Sequence, residues 1–255
     1  MTPLYREVSG AGPRVALVHG FTQNGRCWGP LADTLARDHE VVRVDAPGHG
    51  HSAALDVGLW DAARLVGATC GAATYLGYSM GGRLCLHLAL DRPELVQALV
   101  LVGATPGIEG DVERAARAEA DARLAERIGQ IGVEAFLSEW LQQPLFAGLP
   151  PEAACREARL EGSAAGLSLA LRRLGTGAQE PLWDRLGELG MPVLVVAGER
   201  DEKFARIGAR MVEVIGRGAE MALIPEAGHA AHLERPEAFV EVARGWLRER
   251  GSGGG

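Results

Sequence analysis

Short apolar runs punctuate this chain. Residues 15–18, 41–44, 73–76, 98–102, 193–197 and 221–224 are rich in Val, Leu and Ile, and most are bounded by Gly, Pro or Asp. Each run is too short for a helix. A continuous apolar run of this length marks a strand buried on both faces, as in a parallel sheet. Residues 4–8 add a candidate strand at the start. Between the runs lie segments with helical spacing, at 28–38, 59–70, 82–91, 205–215 and 236–250. Strand–helix alternation of this kind predicts an α/β fold with a mostly parallel, doubly wound sheet.

One stretch breaks the rhythm. From Thr105 to about Leu189 there is no convincing strand, while 111–127, 133–142 and 156–173 read as helices. That is too much chain for an ordinary crossover. It predicts a helical cap inserted at about 105–189 over the carboxyl edge of the sheet, where open α/β folds bind ligands. In this chain of 255 residues, residues 1–250 are thus expected to form one α/β domain, followed by a flexible Gly/Ser tail at 251–255.

The candidate chemistry begins at Gly77-Tyr78-Ser79-Met80-Gly81, between an expected strand and an expected helix. Strand, G-x-S-x-G, helix is the nucleophile elbow of the α/β-hydrolase fold. A serine hydroxyl needs a histidine as base, and the histidine needs a carboxylate to orient it. In that fold the order along the chain is Ser, acid, His. Asp201 follows the run at 193–197, and His229 follows the run at 221–224, so both fall on loops at the carboxyl edge. Glu199 is the competing acid and His232 the competing histidine; Asp201 also reads as a helix N-cap. His19-Gly20-Phe21 follows the first long run, which makes the Phe21 and Met80 N–H groups the expected oxyanion hole. The loop from Asp45 to Ser52 holds His49 and His51 but no third ligand at metal-site spacing, and reads as structural. Four segments in the right order at the right strand ends predict an enzyme of the α/β-hydrolase fold.

Composition narrows the partners. A net charge of −7 argues against a nucleic-acid scaffold, and no apolar run approaches the ~18 residues that span a bilayer. The N-terminal residues lack a secretory pattern. Cys27, Cys70, Cys85 and Cys155 are scattered and read as buried thiols in a reducing compartment, so a cytoplasmic location is expected. Within this acidic chain Arg83 stands out. It lies one helical turn beyond Ser79 on the same face, and a guanidinium fork suits carboxylate recognition.

Several segments together resemble one family. They are the elbow with its arginine, Gly77 to Arg83; Trp140-Leu141-Gln142-Gln143-Pro144-Leu145-Phe146; Gly175 to Gln179; Gly198-Glu199-Arg200-Asp201-Glu202-Lys203-Phe204; and Ala227-Gly228-His229-Ala230-Ala231-His232. The chain is similar, from His19 to about Pro236, to 2-succinyl-6-hydroxy-2,4-cyclohexadiene-1-carboxylate synthase of menaquinone biosynthesis. The resemblance implies a carbon–oxygen lyase that eliminates pyruvate from 2-succinyl-5-enolpyruvyl-6-hydroxy-3-cyclohexene-1-carboxylate, a small tricarboxylate, with no cofactor. It implies Ser79, His229 and Asp201 as catalytic residues. It also implies Tyr78, Arg83, Arg117, Trp140 and Arg159 as substrate-binding residues, with Arg114 competing with Arg117 and Arg156 with Arg159. The rival reading of the same triad is a serine ester or C–C bond hydrolase.

Overall fold

The structure, a computed structural model, describes residues 3–251. In chain order its elements are β1 (Arg6–Ser9), β2 (Arg14–Val18), α1 (Gly29–Leu35), β3 (Glu40–Val44), α2 (Leu59–Cys70), β4 (Ala73–Tyr78), α3 (Met80–Asp91) and β5 (Val96–Val102). There follow α4 (Asp111–Trp140), α5 (Arg156–Leu160), α6 (Ala164–Leu174), β6 (Val193–Gly198), α7 (Glu202–Ile215), β7 (Ala219–Ile224), α8 (Ala231–Glu234) and α9 (Pro236–Gly251). The tail expected at 251–255 lies outside the described residues apart from Gly251, the last residue of α9.

The strands make one sheet in the order β1-β3-β2-β4-β5-β6-β7. Only β1 is antiparallel, against β3. The chain leaves β2 for β3 on one side and then crosses back to β4 on the other. The carboxyl ends of β2 and β4 therefore flank a switch point, where the following loops diverge and leave a crevice.

Both sheet faces are covered, which is why the central strands read as unbroken apolar runs. On one face Leu99 and Leu101 pack with Val66 of α2 and with Leu84 and Leu88 of α3. On the other, Leu17, Leu76 and Val100 pack with Leu31 and Leu35 of α1 and with Phe239 of α9. Each such side chain contributes about 1.5–3 kcal/mol by leaving water. β7 departs from the expected two-sided burial. It pairs only with β6, and as an edge strand it leaves Leu223 half-exposed.

The stretch between β5 and β6 carries α4, α5 and α6, and no strand among the described residues. One boundary differs from the sequence reading. The helices expected at 111–127 and 133–142 are two helical stretches of α4 that meet at Gly132, whose φ of 77° and ψ of 171° leave the helical region. Glycine reaches that conformation without a Cβ clash, so the first stretch ends there and the second starts in a new direction. The helix expected at 156–173 is two. Ser163 accepts the Gly166 N–H at 3.0 Å and starts α6 afresh after the short break at 161–163. Cys27, Cys70 and Cys85 are buried free thiols, whereas Cys155 is only half-buried, because it sits at the exposed start of α5. No described helix is long and apolar enough to cross a membrane.

Candidate active site

Ser79 sits between β4 and α3 with φ 50° and ψ −108°, a conformation L-residues rarely adopt. Neighbouring contacts hold it there. Its N–H donates to Val102 O at 2.8 Å, and its carbonyl accepts the Arg83 N–H at 3.1 Å. The turn also needs small residues. A Cβ on Gly81 would stand 2.0 Å from Val18 O, and one on Gly77 would stand 2.5 Å from Gly81 O.

The loops after β6 and β7 bring the other two groups to this serine. His229 Nε2 lies 3.2 Å from Ser79 Oγ, and His229 Nδ1 lies 2.7 Å from Asp201 Oδ2. The second Asp201 oxygen, Oδ1, accepts the Phe204 N–H at 3.2 Å. Asp201 is therefore a helix cap and the partner of His229 at once, one oxygen for each task. Glu234 braces the histidine loop from behind, accepting the Gly228 N–H at 2.6 Å and the Ala230 N–H at 3.0 Å. Glu199 faces elsewhere and accepts the Glu226 N–H at 3.0 Å. His232 is a core residue packed on Trp28 and Tyr78, and burial pulls it down to about 3.

Ser79 and His229 open onto a cavity of about 170 Å³. Phe21, Met80 and Arg83 line its sheet side; Arg117, Trp140 and Leu171 come from the helical insertion; Lys203 and Phe204 come from α7. Phe21 and Trp140 meet edge to face at 5.3 Å, so the β2 loop and the insertion touch at the cavity wall. Lys203, Phe204 and Arg117 also line a neighbouring cavity of about 400 Å³, so these residues stand between the two.

Arg83 is 6% exposed. It donates to Leu174 O at 2.7 Å and to Gln179 Oε1 at 3.3 Å, both neutral acceptors. Among the described residues no carboxylate lies within ion-pair distance of it. Burial is the main cause that pulls its pKa down to about 10, and Arg117 adds to the effect. Arg117 itself is paired with Asp121 at 2.8 Å. Arg114, the competitor of Arg117, bonds to Ile108 O and Asp111 and does not line the cavity.

Two residues expected at the substrate are not on this cavity. Tyr78 ends β4 with its side chain on the sheet face packed by α1 and α9, buried between His229 and His232. The ring packs so closely on Gly20 that a Cβ there would strike it at 2.6 Å, which leaves room only for glycine. Arg159 is 1% exposed and turned beneath the Phe21–Thr22 turn, where it donates to Ala154 O, Thr22 Oγ1 and Phe21 O. Its competitor Arg156 points to Glu134 and Ser138. Conversely, Lys203, Phe204 and Leu145 line the cavity although sequence reasoning gave them no role. Lys203 and Phe204 were accessible from the sequence, because they occupy the first turn of a helix that Asp201 opens.

His19 and His49 support the site without entering it. His19 Nδ1 donates to Gly20 O at 2.8 Å while its Nε2 accepts the Ala46 N–H at 3.0 Å. His49 Nε2 accepts the Thr22 N–H at 3.2 Å. Both rings are buried and neutral, pulled down by desolvation to about 4 and about 3. They tie the loops after β2 and β3 together.

Similarity to known proteins agrees with this geometry. Residues 15–242 match the alpha/beta hydrolase family. A relative from Bacillus subtilis (strain 168) is 34% identical, over 93% of this chain and 91% of its own. The 2-succinyl-6-hydroxy-2,4-cyclohexadiene-1-carboxylate synthase of Enterobacter sp. (strain 638) is 33% identical, covering 93% of each chain. Among solved structures, MenH from S. aureus superposes with a TM-score of 0.89 at 30% identity, over 96% of this chain and 98% of that one. A Thermogutta terrifontis esterase shares the fold, with a TM-score of 0.81 at 24% identity. The chain therefore belongs to the alpha/beta hydrolase family and, within it, to the 2-succinyl-6-hydroxy-2,4-cyclohexadiene-1-carboxylate synthases.

Proposed function

We propose that this protein eliminates pyruvate from 2-succinyl-5-enolpyruvyl-6-hydroxy-3-cyclohexene-1-carboxylate, with Ser79 as the group that takes the first proton. Ser79 Oγ removes the proton α to the succinyl ketone while its own proton passes to His229 Nε2. Asp201 holds the imidazole by Nδ1 and offsets the cation that forms there. The Phe21 and Met80 N–H groups stabilise the enolate oxygen. The electron pair then returns through the ring alkene and breaks the C–O bond to the enolpyruvyl group. The imidazolium then gives its proton to the departing enolate oxygen, relayed through Ser79, which restores neutral His229 and Ser79, and the released enol tautomerises to pyruvate.

The observation that carries this reading is Arg83. A buried guanidinium whose hydrogen-bond partners are all neutral, on the wall of the Ser79 cavity, suits an anion, since a buried charge without a direct counter-ion is costly. A simple ester does not need it; a tricarboxylate does. Lys203 adds positive charge to the same wall, and Arg117, paired with Asp121, lies beside it. The test is incubation of the purified protein with the enolpyruvyl substrate, with pyruvate as the readout. Release no faster than the spontaneous background overturns the proposal. Burst release from an activated ester, in its place, indicates a serine hydrolase.

A further inference from the structure

The cap residue Arg159 does not reach the cavity, yet it is among the most deeply buried side chains of the molecule. No carboxylate lies within ion-pair distance of it among the described residues. Of its three hydrogen bonds, two run to one turn and the third anchors it to its own segment. Nε donates to Ala154 O at 2.7 Å, while Nη1 serves Thr22 Oγ1 and, at 3.5 Å, Phe21 O. Thr22 has φ 68°, a left-handed conformation in which a β-branched residue is strained. Such a turn persists only where its surroundings over-determine it. Arg159 grips it from one side, and His49 Nε2 accepts the Thr22 N–H from the other.

The rest of α5 is stitched to the same loop. Asn24 Nδ2 donates to Ala158 O at 2.9 Å and to Glu161 Oε2 at 2.8 Å, and Arg26 pairs with Glu161. Cys155 Sγ lies 3.8 Å from Cys27 O. Residues 155–161 of the insertion are thus clamped along residues 21–27. That segment begins with Phe21, whose N–H is one of the two donors assigned above.

We propose that Arg159 is a positioning residue for the elimination: it fixes the Phe21–Thr22 turn, and thereby the Phe21 N–H, without touching substrate. The inference rests on the proposed lyase reaction and on Phe21 as an oxyanion donor. It also turns α5 from a lid component into a fixed part of the catalytic frame. A displaced donor weakens binding of the enolate more than binding of the ground-state substrate, so the loss falls on kcat.

The test is steady-state kinetics of pyruvate release by Arg159→Met, Thr22→Val and Thr22→Ser, beside the wild type. Arg159→Met is expected to lower kcat tenfold or more with KM within about threefold of wild type. Thr22→Val, which loses only the acceptor hydroxyl, is expected to lower kcat in the same direction, and Thr22→Ser, which keeps it, to retain wild-type kcat. The double variant Arg159→Met/Thr22→Val should be little worse than the poorer single variant, because the Arg159–Thr22 contact is lost in both single variants. An Arg159→Met protein whose KM rises with kcat unchanged makes Arg159 a substrate ligand and overturns the proposal; unchanged kinetics also overturns it. Should Arg159→Met not fold, the Thr22 pair decides: equal kcat in Thr22→Val and Thr22→Ser overturns it. A wild type that releases no pyruvate is the separate failure of the lyase reading.

Discussion

Arg83 Nη1 donates to Gln179 Oε1 at 3.3 Å, and Gln179 is itself fully buried, with its Nε2 donating to Thr105 O at 3.3 Å. A neutral amide thus occupies the place beside Arg83 where a carboxylate would form a salt bridge. The amide orients the guanidinium and leaves its charge for a ligand. Arg83→Ala is therefore expected to lower kcat/KM tenfold or more, from the about 1.5–3 kcal/mol of a hydrogen bond to a charged group. Pyruvate release over a range of substrate concentrations checks this. Unchanged kcat/KM would remove Arg83 from the substrate's contacts.

The amide at position 179 makes an independent prediction. Gln179→Glu would set a carboxylate against the buried guanidinium, and an opposite charge at that distance is strongly attractive in a partly desolvated site. The variant should melt no lower than wild type, yet bind the anionic substrate worse, with KM raised at least severalfold. Thermal unfolding and steady-state kinetics measured together check it. A KM equal to wild type would mean that substrate does not use the charge on Arg83.

Asp201 carries two duties on separate oxygens, so they can be separated by mutation. Asp201→Asn keeps an oxygen for the Phe204 N–H and the cap of α7, but offers His229 Nδ1 no anion. Loss of the orienting carboxylate is expected to cost on the order of 10⁴-fold in kcat, with little change in melting temperature. Asp201→Ala should lose the activity and, in addition, about 0.5–2 kcal/mol of stability from the cap. A comparison of the two variants by pyruvate release and by denaturant unfolding tests the division. Near-normal turnover in Asp201→Asn would discard Asp201 as the partner of His229.

What the sequence disclosed and what it hid follow from the range of the forces involved. The central strands were legible because burial on both faces demands apolar residues at every position. Ser79, Asp201 and His229 were legible because chain order and strand ends fix their loops. Arg83 was legible because it lies one helical turn from Ser79. Tyr78 and Arg159 were not, since the facing of a strand-end ring and the reach of a guanidinium depend on packing between segments far apart in the chain. Arg159 reaches Thr22 across 137 positions. The start of α6 was hidden for a local reason: Glu161-Gly162-Ser163 is a break of only three residues between two helix-like stretches. Gln179 belongs to the first kind of blindness, for its value lies wholly in what it faces.

The buried histidines predict how the fold responds to acid. Desolvation holds His19 and His87 at about 4, and His49 and His232 at about 3. In the unfolded chain each returns to about 6.5. The folded values lie below the unfolded one, so below pH 6.5 the unfolded chain binds protons that the native state refuses. Stability is therefore full above about pH 6.5 and falls as pH drops toward 4. At pH 5.5 the loss is on the order of 1 kcal/mol for each histidine, and several kcal/mol for four, which is comparable to the 5–15 kcal/mol of a typical domain. Thermal unfolding between pH 7.5 and 5.0 should show a steep fall in Tm, with three to four protons taken up on unfolding. His87 Nδ1 donates to Arg83 O at 2.7 Å; His87→Gln keeps a donor there and should reduce the uptake by about one proton. A Tm that stays level down to pH 5.0 would mean that these rings are protonated in the native state, and that the neutral forms bonding Ala46 and Thr22 are not the ones present.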